Sequence, residues 1–168
     1  IYMRGQSRDY DQWAQAGNPG WAWDDILPYF LKSEDQHAVP ADDMHARGGE
    51  WRVEDQRLSW EILDAFREAC AEVGIPATDD FNRGNNEGVG YFHVNQRKGV
   101  RWNASKAFLR PIKNRPNLTV LTNAHTERLE ITEGRATAVL FTEGEGGSAK
   151  PKRADVTGEA VLAAGAIG

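Results

Sequence analysis

Few side chains in this 168-residue sequence are equipped for chemistry: four histidines, a single cysteine, and a closing run of small residues. His37 and His45 flank Asp42 and Asp43 within EDQHAVPADDMHARGG. Imidazoles among carboxylates suit a metal, but the spacing matches no established ligand pattern, so a solvated acidic loop and no metal site are expected. His93 lies in VGYFHVNQ, Val89 to Gln96, which alternates as a strand. Alternation puts Tyr91 and His93 on one face, either toward a ligand or in ordinary sheet packing. His125 falls in a turn between β-like runs. No histidine has a Ser, Cys or Glu at a motif spacing, so no nucleophile and base can be paired. Neither G-x-G-x-x-G nor a P-loop occurs. Asn103-Ala-Ser105 and Asn117-Leu-Thr119 match the glycosylation acceptor pattern, which is frequent by chance. The exception is VLAAGAIG, Val161 to Gly168. There an apolar strand runs into residues with little side chain. At the carboxyl ends of strands, such residues let a backbone approach a pyrophosphate or ribose.

The elements that must position these groups follow from local pattern. RDYDQWAQA, residues 8–16, reads as a short helix with Asp9 and Asp11 in its first turn and Gly17 beyond its end. Asn18-Pro19-Gly20 is turn chemistry, and Asp24 and Asp25 open a second helix with Ile26, Leu27, Phe30 and Leu31 on one face. Pro28 is tolerable there only near the first turn. Residues 34–49 read as loop and Glu50 to Val53 as a short strand. Ser59 is expected to cap SWEILDAFREACAEVG, where Ile62, Leu63, Phe66, Cys70 and Val73 form an apolar stripe toward the core and Gly74 ends the helix. Cys70 is therefore read as a small core residue, not a nucleophile. Residues 76–88 read as loop. A Lys98-Gly99 turn follows, and Asn103 or Ser105 caps a short helix that Pro111 ends. From Leu118 the runs LTVLT, ERLEIT, ATAVLFT and EAVLAA, broken by Glu133-Gly134 and Gly144-Glu145-Gly146-Gly147, predict an antiparallel meander.

Composition narrows the function classes. Hydrophobic residues make up 40% and charged residues 27%, a folded-domain balance. A net charge of -5, with Lys and Arg scattered, gives no footprint for nucleic acid. No apolar run approaches the roughly 20 residues needed to span a bilayer. The opening IYMRGQSRDYDQWA has neither the apolar core of a signal peptide nor an initiator Met. One cysteine excludes an internal disulfide and favours a reducing compartment. Trp13, Trp21 and Trp23, half of the 6 tryptophans, call for a large packing partner.

Several stretches together resemble the FAD-dependent glucose-methanol-choline (GMC) oxidoreductases, in their choline-dehydrogenase-like branch. IYMRGQSRDYDQWAQAGNPGWAWDDILPYFLKSED looks like the segment after the family's first signature. DDFNRGNNEGVGYFHVNQRKGVRWNASKAFLRP resembles its central region. RPNLTVLTNAHTERLEI and EAVLAAGAIG resemble the approach to its second signature. The resemblance covers essentially the whole chain, in order. It implies an α+β fragment of a two-domain FAD/NAD(P)-binding flavoprotein, lacking both the N-terminal dinucleotide-binding motif and the C-terminal catalytic His. Residues 1–35 would form an FAD-proximal loop and short helices, 36–100 part of the substrate-binding domain, and 101–168 the β-meander part of the FAD-binding domain. The chemistry implied is oxidation of an alcohol CH–OH by hydride transfer to flavin N5. A small alcohol would be the substrate and oxygen or a quinone the electron acceptor.

By the same resemblance Ile1 ends the loop that passes the flavin. Thr126 matches a position, often Val, whose backbone pairs with adenine. Ala163, Ala164 and Gly165 match a small-residue turn near the ribose and pyrophosphate. Tyr91 and His93 are the substrate-side candidates. No catalytic residue is expected within the chain, which is not expected to be active alone. The expected location is the cytoplasm, peripheral attachment to the inner membrane included. The rival reading is a stand-alone, non-catalytic binding module that uses its aromatic-rich surface. A lone Rossmann NAD enzyme is disfavoured by the missing phosphate loop and by the meander.

Overall fold

Asp9 fixes the start of the first helix: its carboxylate accepts the Gln6 N–H at 2.9 Å, so an orphan donor at the helix entrance is satisfied. That helix, α1, runs Ser7–Gln15 in a computed structural model that describes residues 1–166. Gly17 follows at φ 102°, the left-handed conformation that ends a helix without a Cβ clash. Asp25 does the same work for α2, Trp23–Ser33, by accepting the Ala22 N–H at 3.2 Å. Pro28 lies in the second turn of α2, later than expected, and the helix continues past it with one ladder bond missing. Asp11 accepts the Trp23 N–H at 3.0 Å and ties α1 to α2. Tyr10, Trp13, Trp21, Trp23 and Phe30 then pack with ring centroids 5.4–6.4 Å apart. Trp23 is thereby buried against Tyr10 and Phe30, while Trp13 and Trp21 pack on each other and stay half exposed.

The chain divides into two compact units, Ile1–Arg115 and Pro116–Gly168. In the first, the polar triplet β1 (Glu34–Gln36) pairs in parallel with β2 (Trp51–Val53), with Glu34 opposite Trp51 and Gln36 opposite Val53. Sequence pattern gave β2 but not β1, which has no apolar residue at all. Gly49 is required at their junction, because a Cβ there would sit 2.3 Å from the Ser33 carbonyl oxygen. The helix α3 spans Glu61–Glu72, capped by Trp60 with no side-chain cap bond, not by Ser59. Its stripe corrects the expectation more deeply. Cys70 is buried, but Ile62 is 73% and Phe66 61% exposed, and Val73 is exposed as well. Within this unit no element covers the rest of the stripe.

Val89 to Gln96 is not a continuous strand. Val89 and Val94 make isolated bridges to Ala77 and Glu54, and only Gln96–Arg97 (β3) forms a ladder, antiparallel with β4 (Val100–Arg101). Lys98 and Gly99 turn between them at φ 54° and 80°. The Asn103 side chain accepts the Lys106 N–H at 3.0 Å and caps a widened helical turn, Ser105–Leu109, before Pro111. Tyr2, Trp23, Val53, Cys70, Phe81 and Ala107 are the buried apolar residues of this unit.

The second unit is a three-stranded antiparallel meander: β5 (Ala124–Thr132), β6 (Arg135–Glu143) and β7 (Lys150–Asp155). Two of the four expected runs are strands. LTVLT and EAVLAA are not, and Val120, Leu121, Val161 and Leu162 stand exposed, because a strand needs a neighbour to bond its backbone. The third strand is instead KPKRAD. It is held by backbone pairing to β6 with every residue exposed, and its charges and proline suit an edge strand. Ala138 and Phe141 of β6 are buried in this unit.

Candidate functional site

Ile1, the one flavin-side residue expected in the first unit, lines a cleft of about 770 Å³. Two hydrogen bonds donated by backbone N–H groups deliver it there. The Tyr2 N–H donates to the His93 carbonyl at 2.7 Å, and the Arg4 N–H donates to the Asn82 side-chain oxygen at 2.7 Å. The β2 residue Trp51, the loop 56–58 and the segment 94–104 complete the walls. Arg57 and Arg101 line it with no carboxylate, beside the amides of Asn95, Gln96 and Asn103 and the indoles of Trp51 and Trp102. Arg97 stacks over the Trp102 ring at 5.3 Å, and the Trp102 Nε1–H donates to the Glu50 carbonyl at 2.8 Å, which fixes that indole. Apolar planes next to hydrogen-bond donors suit a flat ring system with an electron-rich, oxygen-bearing edge, such as a flavin.

Tyr91 and His93 do come together, in a separate pocket of about 240 Å³ with Arg67, Asp55 and Asp79. Gln56 lines both this pocket and the cleft. The Tyr91 hydroxyl donates to Asp64 at 2.9 Å, and burial, then that carboxylate, raises its pKa. The His93 ring is buried and its Nδ1 finds no partner. Of the residues expected on the adenine side, Thr126 is exposed on β5 beside a register shift that separates it from Arg128. Ala163, Ala164 and Gly165 are exposed and outside any strand, with Gly165 at φ 92°. Ile167 and Gly168, the end of the VLAAGAIG run, lie outside the described residues. Small side chains on a free backbone suit close approach by a phosphate or sugar. In the first unit, the donors and apolar planes of the cleft therefore fit the flavin ring of FAD.

Sequence reasoning missed the most highly organised side chains of the molecule. His45, read as part of a solvated loop, is only 1% exposed. Its Nδ1–H donates to Glu34 at 3.1 and 3.2 Å, and its Nε2–H donates to Asp80 at 2.9 Å. Glu34, 0% exposed, also accepts the Ala46 N–H at 2.9 Å and pairs with Arg4 at 3.0 Å. Asp80 pairs with Arg83 at 3.1 Å, and Arg83 pairs with Asp42. Burial disfavours the His45 cation, but hydrogen bonds to Asp80 and Glu34 override it and raise the pKa to about 9. Burial likewise works against the Asp80 anion, while His45 and the Asn82 N–H bring its pKa down to about 2. The Glu34 carboxyl is held below its ordinary value, because His45, the Ala46 N–H and Arg4 outweigh its burial. Burial also pushes the Tyr2 phenol up to about 12. The available signal was indirect: Arg4, Glu34, His45 and Asp80 lie far apart in sequence, and none carries a motif. Among the described residues, no three His, Cys, Asp or Glu side chains are placed to hold a metal ion.

A family model described as GMC oxidoreductase matches residues 1–168. The chain is 32% identical to an alcohol dehydrogenase [acceptor] of Pseudomonas putida, over 99% of this chain and 30% of the relative. It is 35% identical to an oxygen-dependent choline dehydrogenase of Sinorhizobium fredii, over 86% of this chain and 26% of the relative. The structure resembles an FAD-dependent oxidoreductase from Chaetomium thermophilum with a TM-score of 0.81 and 25% identity, over 94% of this chain and 29% of that one. The chain thus spans no more than 30% of the length of these relatives.

Proposed function

The chain belongs to the GMC oxidoreductase family, and from that premise we propose that it contributes one region of an FAD-dependent enzyme that oxidises a small alcohol. The observation that carries this reading is the family match along the whole chain. The cleft supports it, because its lining matches a flavin's apolar face and polar edge. FAD, when bound, supplies the acceptor for the hydride that leaves the alcohol carbon.

This chain's own residues bind and orient. Ile1, Trp51 and Trp102 offer apolar surface in the cleft, and Arg57 and Arg101 offer positive charge toward an electron-rich edge. Thr126 presents strand backbone to adenine, and Ala163, Ala164 and Gly165 admit the ribose and pyrophosphate. Tyr91 and His93 face the substrate side. In this assignment residues 36–100 belong to the substrate domain, with 1–35 and 101–168 on the flavin side. The proton acceptor for the alcohol is not among these residues. Oxygen or a quinone takes the electrons onward, and the enzyme works in the cytoplasm.

The test is to purify the polypeptide that carries this chain at native length and record its visible spectrum with and without alcohols. Near one equivalent of bound flavin, bleached anaerobically by a primary alcohol, is expected. A protein that folds, takes up no flavin and bleaches with no alcohol would return the reading to a binding module. No helix is long and apolar enough to cross a membrane among the described residues.

A further inference from the structure

The charges around His45 alternate in sign, buried at Arg4, Glu34 and His45 and exposed at the Arg83 and Asp42 end. Arg4, Glu34, His45, Asp80, Arg83 and Asp42 form a chain in which each cation lies between anions, or beside one at the end. Three cations and three anions leave no net charge. The members come from four separate stretches: the N-terminal segment, the start of β1, the loop before β2, and the loop that follows α3. A buried ion pair by itself is weak evidence of stability, because desolvation offsets most of the attraction. Its attested use is to specify one arrangement, since any other leaves a charge unpaired.

The arrangement specified here is that of residues 1–4. Arg4 is held at three points: Nη2 lies in ion-pair contact with Glu34 at 3.0 Å without a hydrogen bond, Nη1 donates to the Met44 carbonyl at 2.7 Å, and its N–H donates to Asn82. Asn82 is oriented in turn by Asp80, which accepts the Asn82 N–H at 2.9 Å. The Asn82 amide also donates to the Tyr2 carbonyl at 3.4 Å. His45 touches both carboxylates that govern these contacts, and Ile1 at the cleft wall is three residues from Arg4.

We propose that His45, held as an imidazolium between Glu34 and Asp80, is a positioning residue that clasps Ile1–Arg4 in place and so sets the wall of the cleft. It acts through Glu34 and Arg4 on one side and through Asp80 and Asn82 on the other. The charged and titratable groups around it are Glu34 and Asp80 in direct contact, with Arg4, Tyr2, Arg83, Asp42 and His93 behind them. Loss of the imidazolium proton leaves the ring one N–H for two carboxylates, so one of Glu34 and Asp80 loses its donor and the grip on Arg4 loosens. What the cleft holds rests on the flavin reading above; the clasp does not.

The test uses the polypeptide that carries this chain, at native length and without flavin, so its failure is distinct from failure of that reading. Nitrogen NMR of the imidazoles is expected to show both His45 nitrogens protonated at pH 7, with a midpoint near 9. The Tyr2 and Arg4 amide signals should move with the same midpoint. At pH 7, H45Q should lower hydrogen-exchange protection of those two amides by about 100-fold, while amides of β6 in the other unit stay unchanged. If H45Q does not fold, the wild-type titration still decides. A His45 that titrates near its ordinary value, or Tyr2 and Arg4 signals that ignore its titration, overturns the proposal. So does an H45Q variant that folds with wild-type protection at those amides.

Discussion

Glu34→Gln is the sharpest perturbation of this fold. It is nearly isosteric, yet it removes one negative charge from a site with 0% exposure. The wild-type carboxylate accepts from His45 at 3.1 and 3.2 Å and from the Ala46 N–H at 2.9 Å, and it pairs with Arg4 at 3.0 Å. A glutamine keeps one acceptor and turns an NH₂ toward groups that are themselves donors. Two buried cations are left facing each other across a neutral amide. Removing one partner of a buried ion pair costs about 3–5 kcal/mol. With an m-value of about 2 kcal/mol/M in urea, the unfolding midpoint should fall by about 2 M. Urea-dependent hydrogen exchange of the Gln36 and Glu54 amides is the assay, because both are bonded within the first unit, to the Ala46 and Val94 carbonyls. Asp79→Asn is the control: its pairing with Arg67 is long, at 3.8 Å, and Asp79 is 97% exposed, so its loss should cost less than about 0.5 kcal/mol. An E34Q variant within 1 kcal/mol of wild type, like the control, would refute the claim that this network specifies the fold around it.

Stability of the first unit should depend on pH in a definite window. His45 has a folded pKa of about 9, above its unfolded value near 6.5. Its contribution is full below about pH 6.5 and is lost as pH rises through 9, with a limit of about 3 kcal/mol. Asp80 works in the opposite direction: its pKa of about 2 gives a contribution present above about pH 4 and lost as pH falls through 2. Melting temperatures between pH 3 and 10 should therefore plateau from about 4 to 6.5 and decline on the alkaline side; a flat alkaline limb would contradict the His45 geometry. Gly49→Ala should cost about 3 kcal/mol, because the clashing atoms at 2.3 and 2.6 Å are the carbonyl oxygens of Ser33 and Glu34, which cannot rotate aside. Urea titration of that variant checks it, and near-wild-type stability would mean that β1 and β2 do not approach as described.

Much of this was legible beforehand, for reasons that differ between elements. Helices α1 and α2 carry their own instructions, since Asp9, Asp25 and Gly17 act on backbone groups only a few residues away. The β5–β6 hairpin is equally local, because Glu133-Gly134, at φ 50° and 78°, selects the turn. Residue type also signalled, within a few positions, where Asn103 would cap. What failed was any inference that needed a partner. The α3 stripe has helical period, but period does not supply a surface to bury it. LTVLT and EAVLAA have strand composition without a neighbouring strand, and KPKRAD became a strand because β6 offered it a ladder.

The sequence by itself determined the family, the two N-terminal helices and the β5–β6 hairpin, because order and local chemistry along the chain are enough for those. Tertiary structure alone decided the role of His45. An imidazole three residues from Asp42 and eleven from Glu34 reads as solvated until folding brings Asp80 to its other nitrogen at 2.9 Å. The physical reason is that a buried charge is defined by what surrounds it in space, and its neighbours here come from stretches as far apart as Arg4 and Asp80.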